Sequence, residues 1–227
     1  MKSINFPKDV PMSGRVKVCL NLVKSQEIKK KIVVDIGSSF GWLEKELVKL
    51  KPKKIIGVEM DKNAIAFSKK NVKGAKFLVG DALSLPIPKN YADIAILFDV
   101  IEHVPKKTET KALSEINRIL KQGGTLLFST PNSHFFSNLF DIAWFFGHRH
   151  YSKKSVSEML KKSGFKIIKS ERRGSILSSC YLSWFYISKR ITGNSQPRNF
   201  FLEKLDDQGY EKSGITDIFV VAEKISN

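Results

Sequence analysis

The chain has 227 residues, 42% of them hydrophobic, which suffices for one large core, so disorder is not the default expectation. Its two cysteines, Cys19 and Cys180, form no CxxC or zinc-type pair, and no uncharged apolar run reaches the roughly 20 residues of a spanning helix. A net charge of +17 bears on partners and not on fold: it fits a polyanionic partner or anionic surface, and equally a lysine-rich solvated face.

Taken in order, Met1 to Val10 carries Lys2, Lys8 and Asp9 and no apolar stretch, so no secretory signal is expected and a reduced cytosol is the simpler setting. Arg15 to Glu27 predicts a leading helix. Lys31 to Ile36 predicts a buried strand, and Trp42 to Lys51 a helix with Leu43, Leu47 and Leu50 at helical spacing. Lys54 to Met60 is a second strand, followed by Asp61 as N-cap of a helix over Lys62 to Val72. Lys76 to Val79 is a third strand, and Tyr91 to Phe98 a fourth, apolar on both faces. A helix over Thr108 to Leu120 should end at Gly123-Gly124, before a fifth strand over Thr125 to Ser129. Lys153 to Lys162 (helix), Phe165 to Lys169 (strand) and Thr216 to Lys224 (strand) complete the series. Such alternation predicts a doubly wound sheet with right-handed crossovers.

Two connections, 132–151 and 174–213, exceed ordinary loop length and are expected to be functional insertions. They follow strands five and six, so in a parallel sheet both stand over the ligand end. The first holds Phe135, Phe136, Phe140 and Trp144, and the second Ile176, Leu177, Trp184 and Ile187. In the second, Ser175, Ser179 and Ser183 recur every four residues on the opposite stripe, as in an amphipathic helix. From His148 to Phe200 the chain carries +10 of its +17. That pattern fits a lid packed on the domain or an interfacial helix on anionic lipid, which would make the protein cytoplasmic or peripheral to a membrane.

The first strand runs into Asp35-Ile36-Gly37-Ser38-Ser39-Phe40-Gly41 and then a helix. Small residues let backbone approach a ligand, and the helix beyond offers unpaired N–H groups. A P-loop would need Gly-Lys-Ser/Thr, which is absent. A dinucleotide GxGxxG would place its second glycine at Ser39 and its third at Trp42, too bulky for close helix–strand packing. Strand two ends at Glu59, 24 residues after Asp35, where a carboxylate can accept both ribose hydroxyls. Gly80-Asp81-Ala82 follows strand three, Asp99-Val100-Ile101-Glu102-His103-Val104 follows strand four, and Thr130-Pro131-Asn132 ends strand five.

These ordered motifs resemble class I S-adenosylmethionine-dependent methyltransferases, and most closely the small-molecule branch similar to ubiquinone-biosynthesis O-methyltransferases. The resemblance implies one methyltransferase domain over 1–227, α/β and Rossmann-like, with a doubly wound, mainly parallel seven-stranded sheet, a final antiparallel strand and helical lids. It implies S-adenosylmethionine as cofactor, with Asp35, Gly37, Ser38, Ser39 and Gly41 around the methionine end. By the same resemblance Glu59 and Met60 meet the ribose, Asp81 and Ala82 the adenine, and Asp99 faces the cofactor. His103 is the nearest candidate base, or else a helix-start histidine bonded to backbone. His148, His150 and Tyr151 are candidate substrate contacts; the HxH pair has no third ligand in sequence, so no metal is expected.

The expected acceptor is a small or lipid-like molecule, methylated on oxygen. An RNA methyltransferase is the alternative that the charge suggests, and a non-catalytic binding module of the same fold is a second. Against RNA, strand four lacks Asn/Asp-Pro-Pro-Tyr, no Pro-Cys pair offers a nucleophile for cytosine, and no lysine follows strand five.

Overall fold

The computed structural model describes residues 13–140, 144, 147–193 and 199–225. Its elements are α1 (Gly14–Lys24), β1 (Ile32–Ile36), α2 (Trp42–Lys49), β2 (Lys54–Glu59), α3 (Lys62–Asn71), β3 (Lys76–Val79) and β4 (Ala92–Phe98). After these come α4 (Glu109–Ile119), β5 (Leu120–Pro131), α5 (Phe135–Phe140), α6 (Lys153–Lys162), β6 (Phe165–Arg173), α7 (Ile176–Thr192), α8 (Phe200–Glu211) and β7 (Asp217–Lys224).

The strands form one seven-stranded sheet in the order β3-β2-β1-β4-β5-β7-β6. The pairs β1–β2, β1–β4, β2–β3 and β4–β5 are parallel, and β7 runs antiparallel to both β5 and β6. Strand order reverses between β1 and β4, so the crevice beyond their carboxyl ends is where a ligand is expected.

Period-2 alternation explains the layers. Val34, Ile56, Ala95 and Phe128 face α4 and α6 through Leu113, Ile116, Val156 and Leu160. Their neighbours Val33, Ile55, Ile94 and Leu127 face α1 and α2 through Leu20, Val23, Leu43 and Leu47. Both faces are covered, which is why β1 and β4 read as continuous apolar runs. Asp61 caps α3 as the sequence suggested, accepting from the Asn63 amide at 2.7 Å.

Two boundaries differ from expectation for one reason. Gly123-Gly124 does not stop a helix; α4 has already ended, Leu120 pairs with Ala92, and the glycines sit at a register shift within β5. Likewise β6 continues past Lys169 to Arg173 across a second irregularity, because β7 offers partners up to Asp217. Pairing partners lie far away in sequence and override local turn chemistry.

The 174–213 segment forms two helices where one was expected, and α7 is turned over. Its serines face inward: Ser178 and Ser179 are 4% and 3% exposed, while Leu177 is 49% and Ile191 79% exposed. In the 132–151 segment, Ile142, Phe145 and Phe146 lie outside the described residues. No helix among the described residues is long and apolar enough to cross a membrane.

Candidate active site

A cleft of about 590 Å³ opens over the carboxyl ends of β1, β2 and β4. Gly37 and Ser39 form one wall, Glu59 and Met60 a second, and Asp81, Ala82 and Asp99 complete it. With His103, eight of the residues singled out from sequence thus share one cavity, although they come from four separate loops.

Each wall has a local cause. Gly37 adopts φ +82° and donates its amide to Val58 O at 2.8 Å, which ties the loop to β2. Ser39 occupies the left-handed region at φ +47°, a conformation that favours glycine. Glu59 holds that loop: its Oε2 accepts from Ser39 N at 3.1 Å, and Oε1 accepts from Met60 N at 2.7 Å and Asp61 N at 3.0 Å. A carboxylate has about four acceptor positions, so it can serve these amides and still accept from a ligand hydroxyl. Asp81, which lines the cleft, accepts from Leu83 N on its Oδ1 at 2.8 Å. Asp99 is a non-glycine at φ +54°, and Ser129 Oγ donates to its Oδ1 at 2.8 Å. Two left-handed non-glycine residues on one cleft is backbone strain concentrated at a candidate site.

Three sequence candidates do not reach the wall. Asp35 is 5% exposed beneath the loop, beside Glu44 of α2. Ser38 is buried against β2, where a Cβ on Gly57 would come within 2.8 Å of the serine Cβ. Gly41 is the left-handed N-cap of α2. They shape the loop from below rather than lining it.

The Asp35–Glu44 pair has its own consequence. Burial lifts the Asp35 carboxyl from 3.8 to about 8, proximity to Glu44 opposing and the Glu59 charge adding; burial and Asp35 raise Glu44 well above its usual range. The native state therefore keeps a proton across roughly pH 4–8 that the unfolded chain has released. Stability falls as pH rises through that window, by on the order of 3–4 kcal/mol at neutral pH. Glu44→Gln supplies an amide donor and lets Asp35 ionise. Thermal melts should show the wild type losing several degrees between pH 5 and pH 8, with the variant flatter and more stable at the alkaline end. Parallel curves would contradict the buried proton.

A second, smaller chamber of about 120 Å³ shares Asp99 and His103 with the cleft. His148 and His150 line it, as expected, but Tyr151 does not. Tyr151 lies behind the turn after β4, where its hydroxyl donates to Glu109 at 3.1 Å and its ring sits under Arg149. Arg149 fixes that turn by donating to the carbonyls of Glu102 at 2.9 Å and Ile101 at 3.1 Å, and also to Val104 and Glu109. Sequence reasoning read 148–151 as one loop and could not see that its side chains divide between chamber and scaffold.

His103 Nε2 lies 3.3 Å from His148 Nε2, and the buried Glu102 carboxyl is 4.0 Å from the latter. One ligand atom from each of Glu102, His103 and His148 falls within 4.8 Å of the others. The fold thus brings together a trio that could share a proton or hold a cation, with only His148 of it on the HxH loop. Burial lowers the His103 pKa, with Arg149 and Arg15 adding and Asp99 opposing, so the ring is neutral at pH 7 and able to accept a proton. Burial and the Asp99 charge raise Glu102 well above its usual range, and its Oε2 accepts from Thr130 Oγ1 at 3.1 Å.

Of the remaining chamber residues, Arg15 and Asp217 carried no sequence signal, whereas Ser179 and Tyr210 belong to the 174–213 segment expected over the ligand end. Arg15 of α1 reaches Asp99 at 3.3 Å and Asp217 at 3.8 Å. Burial pushes Asp217 up to about 6 although Arg15 opposes it. Tyr210 donates to Asp217, and Ser178 and Ser179 of α7 close the far side.

Residues 34–128 match a family described as methyltransferase domain. The 2-methyl-6-phytyl-1,4-hydroquinone methyltransferase of Spinacia oleracea is 28% identical over 148 residues, covering 63% of this chain and 42% of that protein. The malonyl-[acyl-carrier protein] O-methyltransferase of Halalkalibacterium halodurans is 33% identical over 117 residues, covering 48% and 42%. The chain spans less than half the length of these curated relatives. Among solved structures, an S-adenosylmethionine dependent methyltransferase from Mesorhizobium loti aligns with TM-score 0.64 at 16% identity, covering 93% of this chain and 98% of that one. The [4+2]-cyclase SpnF aligns with TM-score 0.67 at 18% identity, covering 93% and 81%, a sign that this fold also carries other chemistry. Over residues 34–128 the chain is thus similar to the methyltransferase domain, and its sheet topology is that of the solved S-adenosylmethionine dependent methyltransferases.

Proposed function

We propose that the chain transfers a methyl group from S-adenosylmethionine to an oxygen of a small-molecule or lipid-like acceptor. One observation carries this reading: two cavities meet at Asp99 and His103, one with the ribose and adenine loops, the other large enough only for the reacting end of an acceptor. In-line transfer requires that arrangement, a donor and an acceptor site sharing a wall.

When bound, the cofactor supplies an electrophilic methyl on a sulfonium. Gly37 and Ser39 would pass their backbone along the methionine end, Glu59 would accept from a ribose hydroxyl beside Met60, and Asp81 with Ala82 would hold the adenine. Asp99 offers a carboxylate near the positive sulfur. His103, neutral and facing both cavities, takes the proton of the acceptor hydroxyl. His148 and His150 bound the acceptor. The 132–151 and 174–213 segments act as lids of one domain that keep water out. Peripheral association with an anionic membrane surface accompanies a lipid-like acceptor.

Incubating the chain with a cell extract and methyl-labelled cofactor, then partitioning the product, tests this directly. Label should enter the organic or small-molecule fraction. Label confined to RNA would replace this reading with nucleic-acid methylation, which the basic charge would then explain.

A further inference from the structure

On the outer face of α7 four large aliphatic side chains are left exposed, with Cys180 and Trp184 half-buried among them. On a helical wheel Ile176, Leu177, Ile187 and Ile191 fall within about one 100° sector. They are 38%, 49%, 44% and 79% exposed. The opposite sector is the one that packs: Ser178, Ser179 and Tyr181 are buried, and with Leu182 they line the acceptor chamber. The reason is steric. Helix α8 crosses α7 at Gly209, where a Cβ would come within 2.6 Å of Ser175 Oγ and 2.7 Å of Ser178 Oγ. Only small residues fit that crossing, so the serines turn inward and the branched aliphatics are left outside. Phe201, in the first turn of α8, is 70% exposed as well.

Charge defines what this face meets. From Gly174 to Phe201 the sequence contains no Asp or Glu, although the chain has 22 of them, and it contains Lys189, Arg190 and Arg198. Arg172 precedes the helix and is exposed, as is Arg190 near its end. An apolar stripe with cations at both ends and no carboxylate complements an anionic bilayer surface. At 17 residues α7 is about 26 Å long, and it carries a polar inner face, so it would lie along a surface and not cross it.

We propose that the outer face of α7, with Phe201, docks on anionic phospholipid, so that the chamber on its inner face opens toward the headgroup layer. This identifies the membrane partner's contact surface and rests on the lipid-like acceptor reading only for that last clause.

Flotation of the full chain with vesicles of equimolar phosphatidylglycerol and phosphatidylcholine, against phosphatidylcholine alone, tests it. The wild type should float with the anionic vesicles, less so as salt rises. Ile187→Asp with Ile191→Asp should reduce the bound fraction roughly tenfold, and Arg190→Glu several-fold. All three positions are exposed, and circular dichroism confirms folding. Cofactor titration without vesicles should be the same in wild type and variants. Failed cofactor binding with flotation intact would end the methyl-transfer reading and leave the docking surface standing. Wild-type binding that ignores lipid charge, variants that float like wild type, self-association abolished by the double variant, or tRNA retention without flotation would each overturn the proposal.

Discussion

Glu59→Ala should weaken S-adenosylmethionine binding by about a hundredfold or more, close to 3 kcal/mol, while leaving the melting temperature within a few degrees. The effect is large because the carboxylate has two tasks. It accepts the amides of Ser39, Met60 and Asp61, and so holds the motif loop against β2. It also offers the ribose its remaining lone pairs. Glu59→Gln is not a mild replacement, since one oxygen becomes an NH2 that must face either the Ser39 amide or the Met60 and Asp61 amides, all of them donors. The stability cost stays small because Met60 and Asp61 are exposed and water can serve their amides. Calorimetry on Glu59→Ala that returned the wild-type dissociation constant would remove Glu59 from the cofactor site.

Gly37→Ala should be the most damaging single change in the loop. Residue 37 has φ +82°, and an added Cβ would lie 2.3 Å from Val100 Cγ2. The left-handed backbone alone costs about 1–2 kcal/mol for a non-glycine residue, and overpacking adds about 1–3 kcal/mol. The clash links the loop after β1 to the loop after β4, so it deforms both halves of the cleft. The expected result is a melting temperature lower by several degrees and cofactor affinity lost beyond measurement. Adding Val100→Ala removes the steric part and not the backbone part, so the double variant should recover some stability but not reach wild type. Strict additivity of the two substitutions would show that the contact with Val100 does not operate.

Much of the cleft was legible in the sequence because its constraints are local. Gly37, Glu59, Asp81 and Asp99 each stand at or just past a strand end, and strand ends can be read from apolar runs bounded by small residues. A parallel sheet then gathers those ends without further information. At Ser39, where a dinucleotide loop would have its second glycine, the structure has the left-handed backbone that glycine adopts freely.

Legibility stopped where a partner lies far away in the chain. Arg15 reads as one polar residue in an apolar helix, and its reach to Asp99 and Asp217 depends on where α1 packs. The inward turn of the α7 serines is dictated by Gly209, some 30 residues later. Amphipathic periodicity predicts that one stripe is buried, but a close crossing reverses which stripe that is. Asp35 stands in the expected motif, yet Glu44, on the next helix, makes it part of a buried proton-sharing pair below the loop. Tyr151 and His150 are adjacent in sequence and serve opposite sides of one turn.

Calorimetric titration of the full chain with S-adenosylmethionine tests the central claim most directly. One cofactor should bind per chain with micromolar affinity, in the cleft lined by Gly37, Ser39, Glu59 and Asp81. No heat at millimolar cofactor, with the chain folded, would mean that the fold has been kept and the methyl donor has not.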